Sequence, residues 1–168
     1  NNLFNVYGTL GGVGPANYGI YMGISGATNY NNITNNNITL TRASSSWGVY
    51  LLGAAALANE NNLIRGNDIN VIGANTTSVS NIGIYCSFNC NLNSFNYNSI
   101  NVSGNTTNYG ISLIGSTGFA NDNNIYGNNI LVTGGITGIG NNGIYLQTAS
   151  NENDVHDNNI VVTNTRAT

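Results

Sequence analysis

The sequence predicts an all-β chain wound as a parallel solenoid, and three observations carry that prediction. An Asn returns two places before an apolar strand-opening residue, in the pairs Asn2/Phe4, Asn36/Ile38, Asn67/Ile69, Asn98/Ile100, Asn128/Ile130 and Asn158/Ile160. The spacing is 34 residues once and then 31, 31, 30 and 30. Between these marks lie short runs of Ile, Val and Tyr that alternate with polar residues and are bounded by Gly, Asn and Ser, as strands are. A period this regular means one supersecondary unit stacked on itself, each turn of chain touching only its neighbours.

The first strand of each unit is a Gly-Ile-Tyr-Met-like run at 19–22, 48–51, 83–86, 110–113 and 143–146. Alternation sends Ile20, Val49, Ile84, Ile111 and Ile144 inward with Met22, Leu51, Cys86, Leu113 and Leu146. Tyr21, Tyr50, Tyr85, Ser112 and Tyr145 then face outward. The second strand carries one inward residue per unit, Ile33, Ile64, Phe95, Ile125 and Val155. Two places before it runs a second Asn column (Asn31, Asn62, Asn93, Asn123, Asn153), preceded by Asn29, Glu60, Asn91, Asn121 and Asn151. The third strand contributes inward pairs such as Ile69/Val71 and Ile100/Val102, and Phe4/Val6 opens the chain in the same register.

Asn suits the corners for two reasons. It tolerates the left-handed backbone of a sharp bend, and its amide can bond to the same amide above and below. The predicted ladder is Asn2, Asn36, Asn67, Asn98, Asn128 and Asn158. Stacked about 4.8 Å apart, the coils would make a body roughly 26 Å tall. The corner between strands two and three is always short, and the other two vary in length, which makes them the natural carriers of function.

On these "GIYL…N-x-x-I-x-x-N-x-I" units the whole of residues 1–168 resembles the right-handed parallel β-helix family, the pectate-lyase-like superfold, and most closely its Asn-rich surface and adhesin-type repeat proteins. The resemblance implies a single domain over 1–168, a single-stranded right-handed parallel β-helix of about five to six three-stranded coils. It leaves activity open, because that family includes lyases, hydrolases, epimerases, tailspikes and adhesins.

Composition excludes several classes. Only 5% of residues are charged, Lys is absent, and the net charge is −3. Arg42, Arg65 and Arg166 cannot form a phosphate-tracking surface, so nucleic acid is not an expected partner. The longest apolar stretch, 48–58, is about half of the ~20 residues a membrane helix requires. Ten Tyr and abundant β-branched residues at fixed positions argue against disorder.

Candidate chemistry is sparse. Asp122 and Glu152 occupy equivalent positions on adjacent units and form a candidate acidic pair, weighed against two solvated acids. Asp154 and His156 share an outward face near Asp157 and Glu152, as a metal site or, more simply, a surface pair. Cys86 and Cys90 read as a structural thiol or a local bridge. Sequons occur at Asn32, Asn37, Asn75, Asn101 and Asn105; Asn75 and Asn105 are the better glycan candidates because they fall in the long corner, whereas Asn32 and Asn37 lie beside inward residues. The Tyr21, Tyr50, Tyr85 and Tyr145 stripe is either cross-strand stacking or a sugar- or partner-docking face, enlarged by Tyr18, Trp47 and Tyr109. No catalytic residue, metal or cofactor is assigned.

Neither end reads as an amphipathic cap, so the domain is expected to be uncapped at both ends, and the chain to be processed or excised from something longer. The functional expectation is a structural extracellular or cell-surface protein: a filament, stalk or sheath subunit or adhesin segment. Its partners would be copies of itself in a head-to-tail polymer, or the remainder of a longer β-helix. The alternative is a carbohydrate-binding or polysaccharide-processing β-helix. Ice or surface binding through Thr39, Asn70 and Asn101 ranks last, since Leu131 and Val161 break that array.

Overall fold

A computed structural model describes residues 2–7, 16–23, 29–41, 45–54, 58–73, 80–115, 119–134 and 140–164. Its strands follow the repeat. β1 (Leu3–Tyr7) precedes a winding of β2 (Asn17–Gly23), β3 (Asn32–Thr34) and β4 (Asn37–Thr41). The next holds β5 (Ser46–Leu52), β6 (Asn59–Glu60), β7 (Leu63–Arg65) and β8 (Asp68–Ile72). Then come β9 (Ser80–Ser87), β10 (Cys90–Asn91), β11 (Ser94–Asn96) and β12 (Ser99–Gly104). The last two windings are β13 (Thr107–Ile114), β14 (Asn124–Tyr126) and β15 (Asn129–Gly134), and β16 (Asn141–Gln147), β17 (Asp154–His156) and β18 (Asn159–Asn164).

All pairings among the described strands are parallel and in the register of the repeat: Ile38, Ile69, Ile100, Ile130 and Ile160 align in one column. The strands form three sheets along the solenoid, ordered β1-β4-β8-β12-β15-β18, β2-β5-β9-β13-β16 and β3-β7-β11-β14-β17. A short β6–β10 pair adds a fourth ladder at one corner, which the repeat did not predict. The interior is one apolar cluster containing the inward columns of all three sheets, with Phe95 its largest fully buried side chain.

The alternation of the first strand holds from the residue after the glycine onward, and the glycine itself departs from it. That strand begins two or three residues before the glycine, and the glycine sits inside it. A Cβ on Gly19, Gly48, Gly83, Gly110 or Gly143 would overlap Cγ2 of Ile38, Ile69, Ile100, Ile130 or Ile160 respectively. It would point into the core, as Val49 and Ile84 also do one place later. Two consecutive inward positions mean the backbone turns at glycine, and the pairing skips it, running from Tyr18↔Trp47 to Ile20↔Val49. The sheet containing β4, β8 and β12 therefore approaches the sheet containing β2, β5 and β9 closely enough that only hydrogen fits.

The Asn ladder forms, though not for both expected reasons. The backbone N–H and Nδ2 of Asn67 both donate to Oδ1 of Asn98, each at 3.0 Å. Asn98 repeats this toward Asn128, and Asn36 toward Asn67. The second Nδ2 proton turns back to the preceding winding, as from Asn98 to the Ile64 carbonyl at 3.0 Å. The Asn31, Asn62, Asn93, Asn123 and Asn153 column is wired the same way. The left-handed backbone lies one residue earlier, at Asn35, Gly66, Tyr97, Gly127 and Asp157 and at Tyr30, Asn61, Leu92, Asp122 and Glu152. The ladder Asn residues thus serve through their amides and not through left-handed φ.

Candidate functional site

The tyrosine stripe is more enclosed than alternation implied. Tyr50 is only 7% exposed and Tyr85 is half-buried. Because the chain turns at glycine, Tyr18 and Tyr21 meet outside with ring centroids 4.9 Å apart. Trp47 closes edge-on against Tyr50 at 4.8 Å and Tyr85 at 5.4 Å. Tyr50 and Tyr85 stack at 4.8 Å with planes 8° apart. Where the column has Ser112, Tyr109 from the same strand stacks on Tyr145 at 4.7 Å and 2°. The stripe is an aromatic column whose ring faces are largely taken by other rings.

Electrostatics follow from that enclosure. Burial pushes the Tyr50 hydroxyl up to about 12, opposed by its 3.0 Å hydrogen bond with Ser87 and reinforced by neighbouring tyrosines. Burial also raises Tyr85. Tyr109 is raised by burial and then by Tyr145 and Tyr85, in keeping with its position between them.

Asp122 and Glu152 do lie on adjacent windings in one left-handed corner column, both exposed. No hydrogen bond or ion pair engages either carboxylate among the described residues. Glu60 differs, accepting from Asn91 Nδ2 at 3.4 Å. His156 Nδ1 sits 2.9 Å from Asp157 and Nε2 3.9 Å from Asp154, all three side chains being exposed. No group of three metal-ligating side chains occurs among the described residues. Cys86 and Cys90 form a disulfide, both sulfurs inside the core.

The sequon readings shift. Asn75 lies outside the described residues. Asn105 occupies a two-residue link between β12 and β13 and is half-buried, so the corner there is short rather than long. Asn32 and Asn37, read as poor positions, have exposed side chains on their strands. Two features escaped the sequence reading. Arg65 over Tyr97 (5.2 Å), Tyr97 against Tyr126 (5.2 Å) and Tyr126 on His156 (5.1 Å) make a second row along another face. A further amide ladder joins Asn81, Asn108 and Asn141 at 2.9 and 2.8 Å, and the repeated Asn-x-Gly tripeptide would have signalled it.

No family model, no curated protein and no solved structure matches this chain.

The remaining surface of note is the last described winding. Leu146, Val155, Ile160 and Val162 are 39%, 41%, 42% and 41% exposed, whereas Leu113, Ile125, Ile130 and Val132 one winding earlier are at 0–1%. These are the interior columns, laid open where β16, β17 and β18 each have one paired edge.

Proposed function

We propose that this chain is a structural rod segment of an extracellular or cell-surface assembly, lengthened end to end by windings like its own. The observation that carries this reading is the open apolar winding at β16–β18, an edge that recruits strands of matching pattern. Low charge supports it, since little repulsion opposes stacking. So does the Cys86–Cys90 disulfide, which suits an oxidising setting. The incoming windings belong either to another copy or to further repeats of a longer β-helix, and the Asn-rich repeat pattern resembles surface proteins of that kind.

Carbohydrate binding or processing draws less support. Rings that stack on each other have few faces left for a sugar, and the column of Asp122 and Glu152 (Tyr30, Asn61, Leu92) contains no basic residue. Static light scattering over a concentration series, with negative-stain microscopy of the same samples, tests the proposal. The expected result is a mass that grows with concentration and short rods of uniform width. A constant single-chain mass at every concentration rejects self-association.

A further inference from the structure

The two closest tyrosine stacks lie across adjacent windings, and their surroundings differ. Tyr50 and Tyr85 pair in register on β5 and β9, but Tyr50 is enclosed and its hydroxyl is tied to Ser87 at 3.0 Å. Tyr109 and Tyr145 meet from unlike positions, since their partners in the strand pairing are Asn142 and Ser112. Their centroids are 4.7 Å apart with planes 2° from parallel, the closest and flattest ring contact among the described residues. Both rings are half-buried, and neither hydroxyl is held by a hydrogen bond among the described residues. Such a phenol can lose its proton straight to water, and its ring can turn about χ2.

We infer that Tyr109 and Tyr145 are a site of oxidative cross-linking, joined ring to ring as dityrosine by an oxidant of the peroxidase and hydrogen peroxide class. Burial, then Tyr145 and Tyr85, raise the Tyr109 hydroxyl, so that ring enters the reaction as a neutral phenol whose proton leaves with the electron. Each tyrosine gives up one electron and its hydroxyl proton. The two phenoxyl radicals pair their unpaired electrons in a new bond between Cε of one ring and Cε of the other. Each of those carbons then releases its hydrogen as a proton and each oxygen takes one up, which restores two phenols. The two electrons and two protons removed in sum reduce one hydrogen peroxide to two waters.

The rest of the column serves the pair. Tyr85 acts on the Tyr109 hydroxyl, so the rings from Tyr18 to Tyr85 adjoin it. Neighbours there stand between 4.8 and 5.8 Å apart. An electron lost from one of these rings is refilled from the next, which carries the oxidation to the pair that can couple. Tyr18, 36% exposed, gives an oxidant a point of entry. The Cys86–Cys90 disulfide matches a setting in which such oxidants occur. Once linked, β13 and β16 cannot separate, and the bond restricts the unfolded chain as a disulfide does.

The test treats the dilute full chain with a haem peroxidase and hydrogen peroxide, followed by dityrosine fluorescence, mass spectrometry and proteolytic mapping. The expected product is a single chain bearing one linked peptide pair, lighter by two hydrogens, that contains Tyr109 and Tyr145. Tyr145→Phe keeps the stacked ring but cannot complete the coupling, and should lose the dityrosine emission. Tyr50→Phe should retain most of it. Linkage mapped to Tyr50 and Tyr85 overturns the assignment. So does linkage only between chains through Tyr30 or Tyr97, which are 78% and 53% exposed, or an absence of dityrosine. The reaction needs one chain only, so its outcome is separate from that of the self-association experiment.

Discussion

At the residue scale the interior is governed by one repeated fit, glycine against isoleucine. Adding a methyl at Gly83 places it on Cγ2 of Ile100 and 2.6 Å from the Gly110 carbonyl oxygen. Gly83→Ala is expected to cost about 2–3 kcal/mol by overpacking. Combining it with Ile100→Ala should cost less than the sum of the two single changes, because the second removes part of the clash. Urea unfolding of the four proteins measures this, and strict additivity would mean the two residues do not touch.

Tyr50 gives a second residue-scale expectation. Its folded-state hydroxyl is raised from 10.0 to about 12, so the folded form favours the neutral phenol. Its contribution is complete below pH ~10 and is lost as pH climbs from there through about 12. The loss amounts to roughly 2 kcal/mol, and Tyr50→Phe should remove that share of the alkaline sensitivity. Tyrosinate absorbance followed alongside unfolding is the measurement, and an unchanged alkaline decline in Tyr50→Phe contradicts it.

At the scale of the element, the columns matter more than the strands. A three-residue strand such as β7 has little stability alone, and its place is set by the amides at both ends. Asn98→Ala removes the acceptor of two bonds from Asn67 and the donor to Ile64 and Asn128, all within buried surroundings. The expected cost is about 3 kcal/mol, since the Asn67 N–H is left buried without its acceptor. Asn101→Ala, whose 3.1 Å bond to Asn70 is exposed, should cost well under ~1 kcal/mol. Equal losses for the two in chemical denaturation would deny the buried ladder its role. The aromatic column obeys the same logic: Ser112 interrupts the tyrosines, and Tyr109 leans in to keep the stack continuous.

At the scale of the whole molecule, a solenoid's stability is a sum over neighbours, so an end winding has half the contacts of an inner one. Amide hydrogen exchange should be fastest in β16–β18 and slowest in β9, β11, β12 and β13, where both strand edges are paired. At concentrations that permit assembly the β16–β18 amides should become protected. Uniform exchange along the chain would contradict the graded picture.

Much of this architecture was legible in the chain. The 30–31-residue interval, the inward Ile, Val and Leu columns and the Asn ladder all reappear in the parallel pairings. A residue's vertical neighbours are set by its position within the repeat, which is why those features could be read without coordinates. Horizontal neighbours could not. Whether the β12 sheet presses on the β9 sheet, which side of a turn Gly83 occupies, and whether Tyr109 replaces an absent ring depend on distances across the coil. For Cys86 and Cys90, four residues apart, the structure chose the local bridge from the two readings that the sequence had left open. The amino-acid sequence by itself determined the winding and its register, because those are matters of period. Only the tertiary structure decided the bend at glycine and the enclosure of the tyrosines, because packing across the interior has no period to read.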